Sequence, residues 1–151
     1  MKVLLIGEKG AGKSSLLYSL FKDGAGGIIC LPVFKDGGEI GKDAINLLNG
    51  ERKRFCRIRE RADFDGIEIG KYVVDYDGIE FCIAALEEAL EKSNFIILYE
   101  FGLLEMKGGG LYEITKKIIE GDKDALIVLR KELEKEFLEK FPYQFKKIYL
   151  E

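Results

Sequence analysis

The sequence predicts an α/β fold, with a mainly parallel, helix-covered sheet and a small antiparallel β insertion. Short apolar runs alternate with helical patterns along most of the chain, which is typical of parallel strands joined by helices. A hairpin signal at Asn49 and Gly50 interrupts this alternation. The 151 residues, of which 47% are hydrophobic, suit a single domain spanning residues 1–151 with one continuous core.

The elements of the first half follow from apolar periodicity and from turn residues. In chain order they are a strand at 2–6, a helix at 15–21, a strand at 28–31, and three strands of the antiparallel insertion at 44–48, 54–58 and 70–74. Leu16, Leu17 and Leu20 lie at i, i+1 and i+4, so we expect one face of the first helix to dock on the sheet through them. The glycine-rich residues 23–27 predict a stop between this helix and the next strand.

The second half continues the alternation of helices and strands. In chain order the predicted elements are a helix at 77–92, a strand at 95–99, a helix at 111–120, a strand at 125–128, a helix at 131–140 and an edge strand at 147–150. Asp77 is the predicted N-cap of the first helix, because Glu80 follows three residues later. Five consecutive apolar or aromatic residues make 95–99 a buried-type strand. Its carboxyl end is therefore expected at the edge where parallel sheets bind ligands.

A glycine-rich motif follows the first predicted strand directly. Gly7 to Ser14 read G-E-K-G-A-G-K-S, which is the pattern of a phosphate-binding loop. Backbone N–H groups of such a loop surround phosphate oxygens, and the next helix presents its positive N-terminus to them. A chance glycine-rich turn is the alternative, but the strand and helix around the motif favour a nucleotide site. The predicted nucleotide-binding residues are Gly7, Glu8, Lys9, Gly10, Ala11, Gly12, Lys13, Ser14 and Ser15.

Two residues carry the polar chemistry of this loop. Lys13 is expected to reach the β- and γ-phosphates as a catalytic cation, and the Ser14 hydroxyl to ligate Mg²⁺. The predicted ligands are therefore Mg²⁺ and a nucleoside triphosphate, either ATP or GTP. The chain has no histidine, so a general base for hydrolysis must come from another residue type.

The end of the 95–99 strand is the second half of the predicted site. Hydrolysis needs an acid at such a strand end to organise Mg²⁺ and the attacking water. Here the strand ends in Tyr99 followed by Glu100, so a phenol stands where the metal-side acid is expected and Glu100 is the candidate base. The alternative for Glu100 is a surface carboxylate that caps the turn before Gly102. For Tyr99 we favour packing in the core.

Two further charged residues are candidates for the site. Arg130 follows a predicted strand and is proposed to act on the γ-phosphate as an internal arginine finger. The favoured alternative is an i,i+4 ion pair with Glu134 on a helix. Glu105 follows Glu100 closely, but a solvated side chain near Lys107 is its favoured interpretation.

Two segments resemble a known family. Residues 99–107, Y-E-F-G-L-L-E-M-K, resemble the D-E-I-G-x-M-E-L-x stretch of the cancer-related nucleoside triphosphatases, and Gly70 to Asp75 resemble their G-K-Y-x-V segment. The resemblance implies a RecA-like P-loop NTPase fold and slow, Mg²⁺-dependent hydrolysis of ATP, GTP and other nucleoside triphosphates. It also implies that Glu100 orients the attacking water, while the residues on the phosphates and Mg²⁺ are Gly10, Gly12, Lys13 and Ser14.

Two other functions stay open. Because Tyr99 replaces an acid, the chain is alternatively a nucleotide-binding module with little or no turnover. It is also alternatively a small-molecule kinase, since phosphate loops serve phosphoryl transfer to other acceptors.

Composition constrains partners and location. The net charge of −3 gives no general attraction to nucleic acid, and the basic residues between 52 and 61 are expected to form a solvated strand face. The absence of a long apolar run predicts no membrane span, and three scattered cysteines suit a reducing cytoplasm. The abundance of Lys and Glu with few Asn and Gln suggests a thermophilic source. The oligomeric state is not predicted.

Overall fold

The computed structural model describes residues 1–8, 13–99 and 101–150, and of Lys13 it describes the backbone only. Within these ranges nine strands form one sheet on which five helices pack. The strands are β1 (Lys2–Gly7), β2 (Gly26–Lys35), β3 (Gly38–Asn46), β4 (Arg52–Ile58), β5 (Gly66–Ile69), β6 (Tyr72–Asp75), β7 (Phe95–Tyr99), β8 (Asp124–Arg130) and β9 (Lys146–Leu150). The helices are α1 (Lys13–Phe21), α2 (Tyr76–Lys92), α3 (Leu103–Met106), α4 (Tyr112–Glu120) and α5 (Glu134–Lys140).

The sheet has a parallel half and an antiparallel half. Its strand order is β5-β6-β4-β3-β2-β7-β8-β1-β9. On one side, β2, β7, β8, β1 and β9 run parallel to one another. On the other side of β2, the strands β3, β4, β6 and β5 pair antiparallel. The predicted α/β class is confirmed, but the antiparallel part is larger than the small insertion that was predicted. It includes β5, which was missed because only two apolar residues, Ile67 and Ile69, mark it.

Strand β2 joins the two halves. It pairs with β7 only through Gly26–Ile28 and then continues beside β3 as far as Lys35, well beyond the predicted end at residue 31. Of the glycines predicted as a stop, Gly24 lies in the turn after α1, whereas Gly26 and Gly27 belong to this strand. Gly27 has a φ of +104°, and a Cβ there would lie 2.1 Å from the carbonyl oxygen of Ile97. Glycine therefore permits the close approach of β2 to β7.

The two faces of the sheet are covered unequally. Alternating residues of the central strands divide between two cores, as Leu4 and Leu5 of β1 show. Helices α2, α4 and α5 contribute to the larger core, whereas α1 contributes to the smaller one. The prediction for α1 was partly wrong, because Leu17 is buried while Leu16 and Leu20 are 55% and 63% exposed. None of the described helices combines the length and apolar character needed to cross a membrane.

The arginines between residues 52 and 61 are paired with acids. Each arginine of this stretch has a carboxylate within ion-pair distance. The pairs are Arg52–Asp43 at 3.0 Å, Arg54–Asp75 at 2.9 Å, Arg57–Asp43 at 2.9 Å, Arg59–Glu68 at 3.4 Å and Arg61–Asp36 at 3.2 Å. These contacts neutralise the stretch locally, in keeping with the strand face that was predicted.

The N-cap of α2 is Asp75 and not the predicted Asp77. The helix begins at Tyr76, and Asp75 Oδ1 accepts a hydrogen bond of 2.9 Å from the backbone N–H of Asp77. Asp75 Oδ2 accepts a second bond of 2.9 Å from Arg54 Nε. The sequence rule placed the cap two residues late because β6 leads directly into the helix without a separate turn.

Replacing Asp75 by alanine is expected to lower the free energy of unfolding by about 2 kcal/mol, because the cap and the partner of Arg54 are lost together. Urea unfolding followed by circular dichroism measures this change. Asp77→Ala is the matched control and should cost less than about 1 kcal/mol, since its exposed side chain adds only an interaction with the helix dipole. Equal losses in the two variants would contradict the assignment of the cap.

Candidate functional site

The strand and helix that flank the phosphate-binding motif lie where the motif requires them. β1 ends at Gly7 and α1 begins at Lys13. Ser14 is 8% exposed in the first turn of α1, whereas Ser15 is exposed. Lys9, Gly10, Ala11, Gly12 and the side chain of Lys13 lie outside the described residues.

The carboxyl ends of three neighbouring strands meet beside this motif. β8 lies between β1 and β7, so the end of β7 is two strands away from Gly7. In the register of the sheet, Gly7 pairs with Arg130, and Tyr99 pairs with Val128. Arg130 is therefore the β8 residue that lies alongside the start of the motif. Glu100, the predicted base, lies outside the described residues.

Tyr99 occupies the position where an acid was expected. Its side chain is half-buried and packs against both cores of the sheet, which agrees with the core packing that was favoured. It also lines a cavity at the carboxyl ends of the strands. Tyr99 therefore stands at the border between the core and the site, and its phenol supplies no carboxylate for a metal.

Arg130 is paired differently from the expected i,i+4 pair. Its Nε lies 3.5 Å from Glu132 Oε1, in a pair whose carboxylate is mostly exposed. The expected partner, Glu134, instead lies 3.4 Å from Lys147 Nζ and accepts a hydrogen bond of 2.7 Å from Tyr149 Oη. The reason is that residues 131–133 form a 3₁₀ turn, so the i,i+4 spacing of an α-helix does not apply across them.

Glu105 is buried, which makes its predicted solvated position wrong. The side chain is 4% exposed, and its two oxygens accept backbone hydrogen bonds from Gly102 N–H at 2.8 Å and Leu111 N–H at 3.1 Å. These bonds tie together both ends of the segment that follows β7. A carboxylate three residues after Gly102 that binds the backbone N–H of Gly102 forms one half of a capping box. This spacing is the sequence signal that could have revealed the short helix α3.

Gly110 leaves the space that Glu105 occupies. Gly110 has a φ of +56°, and a Cβ at this position would lie 2.1 Å from Glu105 Oε2. A side chain here would displace the carboxylate in addition to straining the backbone. Gly110 therefore serves a close packing contact with Glu105.

The chain on both sides of Glu100 is anchored. Tyr99 is hydrogen-bonded into the sheet next to β8. Phe101 is buried and makes edge-to-face contacts with Phe137 and Phe141, at centroid distances of 5.0 and 5.8 Å.

A cavity of about 260 Å³ opens beside the ends of β7 and β8. Its other wall comes from the antiparallel half, through β3, β4, β6 and the β5–β6 turn. Most of the lining is apolar, and Lys42, Lys71 and Arg130 contribute cations to it. Sequence reasoning missed this wall, because residues of the antiparallel half reach the site only through the long continuation of β2.

Tyr72 contributes a phenol to the antiparallel wall of the cavity. Its Oη donates a hydrogen bond of 2.6 Å to Glu39 Oε2. Burial, together with this carboxylate, raises the pKa of Tyr72 well above the usual range of a phenol. Tyr72 is therefore a neutral donor throughout the physiological pH range.

The described residues fit a magnesium ion that arrives with a nucleotide. Mg²⁺ commonly takes phosphate oxygens, waters and one or two protein oxygens, and the hydroxyl of the buried Ser14 is such an oxygen. The described residues contain no cluster of three or more acids, cysteines or histidines that would hold a metal alone. Asp75, considered above as a cap, is bound to Arg54 and Asp77 and is not available as a replacement acid.

Comparison of sequences places the chain among nucleoside-triphosphatases. The profile of the family described as NTPase matches residues 2–150. Nucleoside-triphosphatase THEP1 of Thermotoga sp. strain RQ2 is 30% identical over 134 residues, which cover 87% of this chain and 75% of that protein. Nucleoside-triphosphatase THEP1 of Thermococcus kodakarensis is 24% identical over 148 residues, covering 93% of this chain and 80% of that protein.

Comparison of structures gives the same fold. The crystal structure of THEP1 from the hyperthermophile Aquifex aeolicus matches with a TM-score of 0.77 at 19% identity, covering 100% of this chain and 89% of that one. The solution structure of a human cancer-related nucleoside triphosphatase matches with a TM-score of 0.71 at 20% identity, covering 99% and 88%. Both likenesses extend over the parallel and the antiparallel halves of the sheet.

Proposed function

The chain belongs to the NTPase family, and from this premise we propose that it binds nucleoside triphosphates with Mg²⁺ and slowly hydrolyses them to the diphosphate and phosphate. The observation that carries the proposal is the arrangement at one edge of the sheet. There the end of β1, the buried Ser14 and the end of β7 lie together, with only β8 between the two strands. This is the placement that joins phosphate binding to activation of water.

Each residue has a distinct role in this proposal. Water attacks the γ-phosphorus, the bond to the β–γ bridging oxygen breaks, and the diphosphate leaves with that electron pair. Glu100 orients the water and accepts its proton, while Lys13 and Arg130 offset the negative charge on the phosphates. Ser14 holds the Mg²⁺ that accompanies the nucleotide. The proposed phosphate contacts are Gly7, Glu8, Lys9, Gly10, Ala11, Gly12 and Ser15.

The phosphates of the substrate determine which molecules bind more than its nucleobase does. Every contact in this proposal is made to the triphosphate and its metal, which ATP and GTP share. We therefore propose both as substrates. Side-by-side hydrolysis assays of the two nucleotides test this point, and a rate ratio above about 100 would require a base-specific pocket.

Glu100→Gln is expected to reduce the rate of phosphate release by about 100-fold while changing the dissociation constant of a triphosphate less than about threefold. The amide keeps the size of the side chain but cannot accept the proton of water. Phosphate release by a colorimetric assay and binding of a fluorescent triphosphate analogue measure the two effects. Glu91→Gln, on the exposed side of α2, is the control and should behave as the parent protein does. An unchanged rate in Glu100→Gln would remove this residue as the base.

Tyr99 favours a second candidate function, a nucleotide-binding module with little turnover. A phenol at the end of β7 cannot help to organise the metal as a carboxylate does. On this hypothesis a triphosphate raises the melting temperature of the protein, while phosphate release stays at the level of the Lys13→Ala variant. A parent rate clearly above that level excludes this function.

Tyr99→Asp separates the two functions further. Because Tyr99 is half-buried beside a cavity, aspartate can be hydrated there at limited cost. If the missing acid limits turnover, phosphate release should rise about tenfold or more at saturating Mg²⁺. Tyr99→Phe is the control for loss of the phenol and should leave the rate near that of the parent. A fall in the rate of Tyr99→Asp without loss of nucleotide binding would show that the phenol itself is required.

A further inference from the structure

Arg130 lies between the strand ends and the start of the phosphate-binding motif. It is the last residue of β8 and pairs in register with Gly7, with which the motif begins. It also lines the cavity at the carboxyl ends of the strands together with Tyr99, and its side chain is 32% exposed. An arginine side chain has several rotatable bonds, so its charge serves a phosphate best when another group restricts its direction.

Glu132 contacts the guanidinium in a way that restricts its direction. Glu132 Oε1 lies 3.5 Å from Arg130 Nε, the nitrogen by which the guanidinium joins the side chain. An arginine head carries five N–H donors, and four of them belong to the two terminal nitrogens, Nη1 and Nη2. A carboxylate at Nε therefore holds the base of the head, while the terminal nitrogens form a fork that can bind phosphate oxygens.

The short turn after β8 brings the two residues together. Arg130 has an extended backbone, with φ −72° and ψ 144°, and residues 131–133 then form the 3₁₀ turn. A backbone hydrogen bond closes this turn, and the Leu133 side chain is buried in the larger core. Glu132 is therefore presented by a hydrogen-bonded, packed turn directly after the strand end that carries Arg130.

The charge of Glu132 has two opposite effects on a nearby phosphate. The carboxylate by itself repels the phosphate, whereas its contact with Arg130 directs a cation toward it. The Glu132 side chain is 57% exposed, and ion pairs as exposed as this one contribute little to folding stability. Removal of the carboxylate therefore distinguishes the two effects by the sign of the change in turnover, with little change in stability.

We propose that Glu132 is a positioning residue for hydrolysis, which directs the Arg130 guanidinium toward the γ-phosphate of the bound nucleotide. The inference rests on the proposed function, since Arg130 meets a phosphate only if the chain binds a nucleotide. In this role Glu132 touches neither the nucleotide nor the attacking water, and it acts through Arg130.

Glu132→Ala is expected to reduce kcat for ATP hydrolysis about fivefold and to change KM less than about twofold, because Arg130 acts mainly on the charge of the transition state. The melting temperature should stay within about 1 °C of that of the parent protein. Glu136→Ala, which removes the same charge from an exposed position of α5, is the control and should keep the parent kcat. A kcat of Glu132→Ala equal to or above that of the parent would overturn the proposal.

A double-mutant cycle tests whether Glu132 acts through Arg130. Arg130→Ala should reduce kcat about tenfold or more, and adding Glu132→Ala to this variant should not reduce kcat further. Losses that multiply in the double variant would show that Glu132 acts independently of Arg130, and they would also overturn the proposal.

The parent protein provides the test that separates this inference from the proposed function. Phosphate release by the parent at the level of the Lys13→Ala variant would overturn the proposed function, and the role of Glu132 with it. Parent release clearly above that level, combined with an unchanged kcat in Glu132→Ala, would overturn the role of Glu132 alone.

Discussion

Lys13→Ala is expected to reduce nucleoside triphosphate hydrolysis by about 100-fold or more and to weaken triphosphate binding. The ammonium of the loop lysine meets the β- and γ-phosphates, where negative charge is concentrated in the ground state and in the transition state. Neither glycine N–H groups nor the Ser14 hydroxyl can replace a positive charge at that point. Both binding and turnover should therefore be affected.

Phosphate release and titration with a fluorescent triphosphate analogue measure these two losses. Lys22→Ala is the matched control, because Lys22 is exposed directly after α1 and lies outside the motif. Circular dichroism should show the same helix content in both variants. Parent-like binding in Lys13→Ala would contradict the phosphate-loop assignment and with it the proposed function.

Glu105→Ala is expected to lower the free energy of unfolding by about 3 kcal/mol. The substitution leaves the N–H groups of Gly102 and Leu111 without their acceptors in a buried place, and each unsatisfied group costs roughly 1–3 kcal/mol. Glu105→Gln keeps one oxygen acceptor, so the free energy of unfolding of this variant should lie between those of the parent protein and Glu105→Ala. Urea denaturation measures these changes, with one m-value (the dependence of the free energy of unfolding on urea concentration) fitted to all variants.

The same change should also slow hydrolysis, because Glu105 fixes the segment that begins immediately after Glu100. We expect phosphate release to fall about tenfold in Glu105→Ala, measured well below the temperature at which the variant unfolds. Glu113→Ala, exposed in the first turn of α4, is the control and should change stability by less than about 0.5 kcal/mol. If Glu105→Ala proves as stable and as active as Glu113→Ala, the carboxylate has no such anchoring role.

Local patterns were sufficient for much of the fold. Continuous apolar runs identified β1, β7 and β8, because buried parallel strands need apolar residues on both faces. Apolar residues at helical spacing identified α2. Where the signal was short, as in the four residues of β5 and of α3, periodicity could not distinguish an element from a loop.

The candidate site was predicted less completely than the fold, for physical reasons. The phosphate-binding motif is contiguous in sequence, so its residues are visible without knowledge of the topology. The burial of Glu105 depends on Leu111 and Gly110, and the cavity depends on strands from both halves of the sheet. Such long-range contacts are decided by the tertiary structure, and no local pattern contains them.

The register of β1 has a consequence for biosynthesis. The strand that leads into the phosphate loop is translated before β8 and β9, but Lys2 pairs with Ala125 and Val3 pairs with Lys146. Both hydrogen-bonded neighbours of β1 are therefore separated from it by more than 100 residues of sequence. A nascent polypeptide that already displays the whole motif still lacks the sheet that holds it in place. Nucleotide affinity is then acquired only after β8 and β9 have been translated, and it cannot help the earlier segments to fold.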